Sequence, residues 1–152
     1  MLRNFYIGLL VVIVAGIVAV FFYRTDTQSE QAGFGGVSLR IEYAMTPEAR
    51  EQGLGGRTEI QEDYGMLFVF PKDAPYGFWM KDMLVPVDIF WLDSKGHVVS
   101  TARDVATSTY PNVFYPTAPA RYVLETVAGF AKARDIKVGT PLLLKNFPIV
   151  SE

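Results

Sequence analysis

The chain has no cysteine and a single histidine, His97, in 152 residues. The first absence excludes disulfides, cysteine nucleophiles and lipid attachment at a cysteine, and it removes thiolate ligands for zinc. One imidazole without a thiolate leaves no ligand set for a transition metal. Nor does a G-x-S-x-G turn accompany His97 to make a serine nucleophile. Nucleotide-binding glycine patterns and Asp-x-Asp calcium loops are missing too. Neither a metal nor a cofactor is therefore expected. Positive charge is also scarce, with 14 Lys and Arg against 16 Asp and Glu and no basic cluster. Without a basic stripe to neutralise phosphates, nucleic acid is not an expected partner.

What is present begins with an uncharged run, residues 5–23 (FYIGLLVVIVAGIVAVFFY). As a helix its length matches the roughly 30 Å hydrocarbon core of a bilayer. Phe5, Tyr6, Phe21, Phe22 and Tyr23 place aromatic rings at both ends, where membrane interfaces favour them. The bulky Val20-Phe21-Phe22-Tyr23 lacks the small residues of a signal-peptidase site. Residues 1–23 are therefore expected to form an uncleaved transmembrane anchor, with the body of the protein extracytoplasmic, either periplasmic or at the cell surface. Residues 24–36 (RTDTQSEQAGFGG) are polar and glycine-rich and predict a flexible tether.

Residues 37–152 are enough for one domain. Val37 to Met45 alternates strictly and predicts a half-buried strand. Thr46-Pro47-Glu48 is a helix start, and Gly53, Gly55 and Gly56 stop that helix early. Residues 64–70 form an apolar run halted by Pro71, which predicts a central strand. Two strand pieces, 77–83 and 87–92, are expected on either side of a bend at Pro86. Asp93-Ser94-Lys95-Gly96 is a turn into a strand at 97–103, giving a hairpin. A long irregular loop over 104–120 precedes strands at 121–127 and 138–144, with a short helix or turn at 129–134 between them. The sum is a mainly β (α+β) fold: a small antiparallel β-sandwich or barrel with one or two short helices, plus the N-terminal transmembrane helix.

Several blocks, in order, resemble the DUF192 (also UPF0127) family. They are Pro47-Glu48-Ala49-Arg50-Glu51-Gln52-Gly53-Leu54 with Arg57, Gly65-Met66-Leu67-Phe68-Val69-Phe70-Pro71, Phe78-Trp79-Met80-Lys81 and Pro86-Val87-Asp88-Ile89-Phe90. Tyr122-Val123-Leu124-Glu125, Ala128-Gly129 and Ile136-Lys137-Val138-Gly139 complete the set. The resemblance implies a compact, mainly β domain and brings no established reaction. Two departures stand out: Gly55-Gly56 replaces a family methionine, and Asp82-Met83 replaces Asn-Thr after Phe-Trp-Met-Lys.

The candidate ligand-binding residues are Trp79 with Lys81, Asp82, Asp88 and Glu125, charges that the sequence sets among bulky apolar neighbours, and Arg57, which flanks the glycine turn after the first helix and would reach the site if that turn folds over the 77–83 strand. One reading pairs Lys81 with Glu125 or Asp88 to satisfy buried charge. Another makes Trp79 the wall of a cleft in which Lys81, Asp82 and Glu125 contact a small polar ligand such as a carbohydrate. Arg57 could add a guanidinium, or only a surface ion pair. Three functions follow: a membrane-anchored binding or accessory module for such a ligand or for a partner protein; a hydrolase or lyase using Asp82 and Glu125 as paired carboxylates; or a purely structural domain.

Overall fold

The computed structural model describes residues 30–151, so the expected anchor over residues 5–23 lies outside the described residues. Among the described residues, no helix is long and apolar enough to cross a membrane. The strands are β1 (Glu30–Phe34), β2 (Val37–Ala44), β3 (Tyr64–Ala74), β4 (Phe78–Trp79), β5 (Val87–Leu92), β6 (Val98–Val105), β7 (Val113–Phe114), β8 (Ala120–Val127) and β9 (Leu142–Leu143). The helices α1 (Pro47–Gln52) and α2 (Phe130–Ala133) are both short.

Seven strands make one sheet in the order β6-β5-β8-β3-β2-β1-β9, and β4 pairs with β7 separately. The sheet curls into a half-barrel whose two edges meet at one end. There Leu142 N–H donates to the Gly96 carbonyl at 2.9 Å and Val98 N–H to Thr140 at 3.0 Å. All the paired neighbours are antiparallel except β2 and β3, which run parallel. A parallel pair needs a crossover connection, and residues 45–63 provide it through α1. Thr46 caps that helix by accepting Ala49 N–H at 3.1 Å, and Gly53 ends it at φ 51°. The expectation of a purely antiparallel sheet is corrected here: the helix was legible, the direction of the strand after it was not.

Alternation splits the core into two. Phe34, Leu39, Ile41, Leu67, Phe90 and Leu124 pack inside the curl with Phe130 of α2. Met66, Phe68, Ile89, Trp91 and Val123 point to the outer face, which Leu54, Ile60, Phe78 and Met80 cover. All six residues of β5 are buried, as expected of a strand covered on both sides.

Four further expectations are revised. Glu30–Phe34, assigned to the tether, is a strand, and it pairs antiparallel with β2 from Glu30–Ile41 to Phe34–Val37. Pro71 does not end β3; pairing with β8 lapses between Val69 and Ala74, and the proline sits in that irregularity, where no ladder N–H is needed. Of the piece 77–83 only Phe78–Trp79 is a strand. The last strand shrinks to Leu142–Leu143, with an isolated bridge from Pro141 to His97.

Asp88 ties the inner layer together. It is wholly buried on β5 and accepts N–H groups from Asp104 and Ala131, each at 2.7 Å. It thereby holds the end of β6 and the first turn of α2 against one strand. Asp88→Ala would leave two backbone donors without a partner, each worth about 1–3 kcal/mol. Denaturant unfolding is expected to show a loss of about 3 kcal/mol, and a loss below about 1 kcal/mol would contradict this role.

Candidate functional site

Burying a charged or polar side chain is costly unless it finds a partner. Four such residues are buried among the described residues: Asp88, Ser100, Glu125 and Thr126. Asp88 holds its two backbone donors, Ser100 accepts Thr117 N–H at 3.3 Å, and Thr126 donates to the Val127 carbonyl at 3.2 Å. Glu125 has no hydrogen bond or ion pair among the described residues, although it is only 4% exposed. It sits mid-way along β8, opposite Met66 of β3 and Ile89 of β5, on the outer face. Burial alone pushes its carboxyl up to about 8, so the group is protonated at neutral pH. Among the described residues no side-chain oxygen that is sealed from solvent lacks a partner, so the Glu125 oxygens reach solvent.

They reach it through a cleft of about 320 Å³ between the outer face and its cover. Arg50, Glu51 and Gly53–Leu54 from α1 and its end line one side, with Phe68 and Phe70 of β3 beneath. Phe78, Trp79, Lys81 and Met83 line the other side. Trp79 is 45% exposed and Phe78 buried, as the alternation of β4 requires. Gly77 before them allows the β7 side to close in: a Cβ there would stand 2.6 Å from both Val113 and Tyr115. Arg50 is fixed by Nη1, which donates to the carbonyls of Met45 at 2.6 Å and Val69 at 2.9 Å, and its guanidinium lies 5.2 Å from the Phe70 ring centre.

The structure brings Trp79, Lys81 and Glu125 to this one cleft. Lys81 bonds neither Glu125 nor Asp88; its Nζ meets Glu51 at 3.3 Å, an exposed pair of the kind worth about 0–1 kcal/mol. Asp82 lies in a neighbouring dip that shares Glu51, Gln52 and Lys81. Its φ is 57°, a left-handed conformation that Asp and Asn tolerate best after glycine, and its carbonyl accepts Gly56 N–H at 2.8 Å. That backbone demand accounts for a short polar side chain here. Asp88 is not part of the cleft, since it faces the inside of the curl. Arg57 is spent elsewhere: Nη2 donates to both Glu42 oxygens at 2.9 Å and Nη1 to the Tyr64 hydroxyl at 2.9 Å. Tyr64 in turn donates to Glu42 at 2.6 Å, and burial with this bond raises its phenol well above the ordinary value. Arg50, Glu51 and Phe70 were missed as lining residues. Arg50 and Glu51 stood in the block Pro47–Leu54, but only the fold shows that α1 lines the same cleft as Glu125.

A curled, mainly β sheet with one crossover helix and a cleft on its covered outer face defines the class. The chain belongs to the DUF192 family, whose model, described as Uncharacterized ACR, matches residues 28–144. A candidate transcription regulator from Sinorhizobium meliloti 1021 has a similar crystal structure: 30% identity, TM-score 0.70, covering 74% of this chain and 91% of that one. A protein of unknown function from Novosphingobium aromaticivorans DSM 12444 is 27% identical with TM-score 0.66, over 74% and 81% of the two chains. No curated protein matches.

Because Glu125 holds its proton more tightly folded than unfolded, its burial is tolerated fully below pH 4.5 and stability falls as pH rises toward about 8. The slope is at most about 1.4 kcal/mol per pH unit. Glu125→Gln removes this term, so the stability gap between variant and parent should widen in the variant's favour between these pH values. Denaturant unfolding at several pH values reads it, and parallel curves would contradict it.

Proposed function

We propose that the domain binds a small polar ligand, a glycan above other classes, in the cleft between α1 and the outer face of the sheet. The observation that carries this reading is Glu125: a buried carboxyl that opens to the cleft and has no protein partner among the described residues, at the floor of an aromatic-walled cleft. A protonated carboxyl both donates and accepts, which suits hydroxyl groups. Trp79 offers the apolar face on which sugar CH groups stack, and Lys81 a further donor. Asp82 is close enough to contact a ligand that extends into the neighbouring dip. In this reading the protein is a binding or accessory module, or presents its cleft to a glycan-bearing partner protein. Residues 5–23 hold it at a membrane as a single-pass anchor, with the domain outside the cytoplasm; their apolar length and aromatic ends support this.

A second reading is hydrolysis or a lyase reaction, favoured by the protonated state of Glu125, which suits a general acid. The carboxylate that shares the cleft lining with Glu125 is Glu51, not Asp82, so the pair would be Glu125 and Glu51. The description of the Sinorhizobium relative is not carried over, because a net charge of −2 offers no excess positive charge for nucleic acid.

The full chain in detergent micelles, screened on a glycan array, is expected to bind at least one glycan class, with Trp79→Ala weakening it about tenfold or more. Absence of both binding and cleavage across the array would remove the carbohydrate reading. Alkaline washing of membranes should leave the full chain bound and release a chain starting at residue 25. Release of the full chain would contradict the anchor.

A further inference from the structure

Arg50 is the second polar group of the cleft whose bonding capacity is unspent. Its Nη1 holds the Met45 and Val69 carbonyls, which fixes α1 to the sheet. Nε and Nη2 have no acceptor among the described residues, and no carboxylate pairs with the guanidinium. Its neighbour Glu51 is engaged by Lys81 instead. A guanidinium fork offers two parallel N–H donors that match a carboxylate, and the Nε edge of Arg50 is such a fork. Around the cleft, Arg50 and Lys81 face one ionised acid, Glu51, because Glu125 is protonated at neutral pH. The lining of the cleft itself therefore carries one net positive charge, with Glu48 and Asp82 in the neighbouring dip beside it.

Arg50 does not neutralise Glu125, and the strand register shows why. Val69, whose carbonyl anchors Arg50, lies opposite Tyr122, three residues from Glu125 along β8. At about 3.3 Å per residue, about 10 Å of strand separates the backbone position that anchors Arg50 from the one that carries Glu125. No bond forms between the two side chains, and an offset of this size is about the length of a substituted sugar ring.

Resting on the binding reading above, we infer that the ligand of this cleft carries a carboxylate, gripped by Nε and Nη2 of Arg50, with its neutral hydroxyl groups directed to Glu125. A hexuronic acid, alone or at the end of a chain, has this chemistry: an acid at one end, hydroxyls at the other and a CH face for Trp79. Arg50 is then the residue that discriminates acidic from neutral sugars.

Nuclear magnetic resonance titrations of the full chain in micelles test it, with glucuronate, its neutral amide, glucose and acetate as probes. Glucuronate is expected to shift the Trp79 indole and Arg50 Nε signals and to bind about tenfold or more tightly than the amide. The preference should shrink as salt rises. Acetate should shift the Arg50 signal alone. Arg50→Gln should bind glucuronate and the amide equally; if that variant fails to fold, Arg50→Lys, which keeps a charge but loses the fork, should retain only part of the preference. Equal binding of glucuronate and amide by the parent would overturn the inference while leaving the cleft reading intact. Glucose binding without any acid preference has the same meaning. No shift from acetate or glucuronate at Arg50, and none from any sugar at Trp79, would overturn both.

Discussion

The three central strands, β3, β8 and β5, present apolar side chains on both faces, and the rest of the molecule exists to cover them. The inner face is covered by the curl of the sheet itself, with Phe34, Phe90 and Phe130 in mutual contact at centroid distances of 5.1 to 6.4 Å. The outer face has only the two-stranded β4–β7 sheet against it. The rest of its cover is the α1 crossover, the segment carrying Leu54 and Ile60, and Met80 just after β4. A cover built from such short pieces leaves a seam, and the seam between α1 and β4 is the cleft.

Glu125 lies under that seam. A leucine there would remove the desolvation cost that lifts its carboxyl to about 8. The contrast with Asp88 is instructive, since both are acids on central strands and both are buried. Asp88 meets two backbone donors and is accounted for by structure alone. Glu125 meets none, so the fold does not explain it and a bound molecule would. Arg50 has a double character: one nitrogen holds the crossover in place and the others are free to meet a ligand, so cleft shape and cleft charge are coupled through one side chain.

Much of the fold was legible because it rests on local pattern. The alternation of residues 37–45, the Thr46-Pro47 helix start, the apolar run from Tyr64 and the turn at Asp93–Gly96 each specify their element by neighbouring residues. What was not legible depends on contacts remote in sequence. Glu30–Phe34 reads as polar tether because only Ala32 and Phe34 are buried, and pairing with β2 and β9 makes it a strand. For the site, Trp79, Lys81 and Glu125 were placed together from their apolar surroundings. Lys81 was assigned the wrong partner, since a 30-residue separation from Glu51 leaves no periodicity to read. Asp88 has equally apolar neighbours in sequence and Arg57 follows the glycine turn at the end of α1, and only their bonds in the fold separate them from the cleft.

The central claim is that Glu125 is an unpaired, protonated acid kept for a ligand rather than for the fold. A carbon-13 titration of its side-chain carboxyl in the unliganded full chain tests this most directly. The account predicts a midpoint near 8. A midpoint in the ordinary range for glutamate, about 4.3, would mean that the carboxylate is already solvated or paired, and would contradict it.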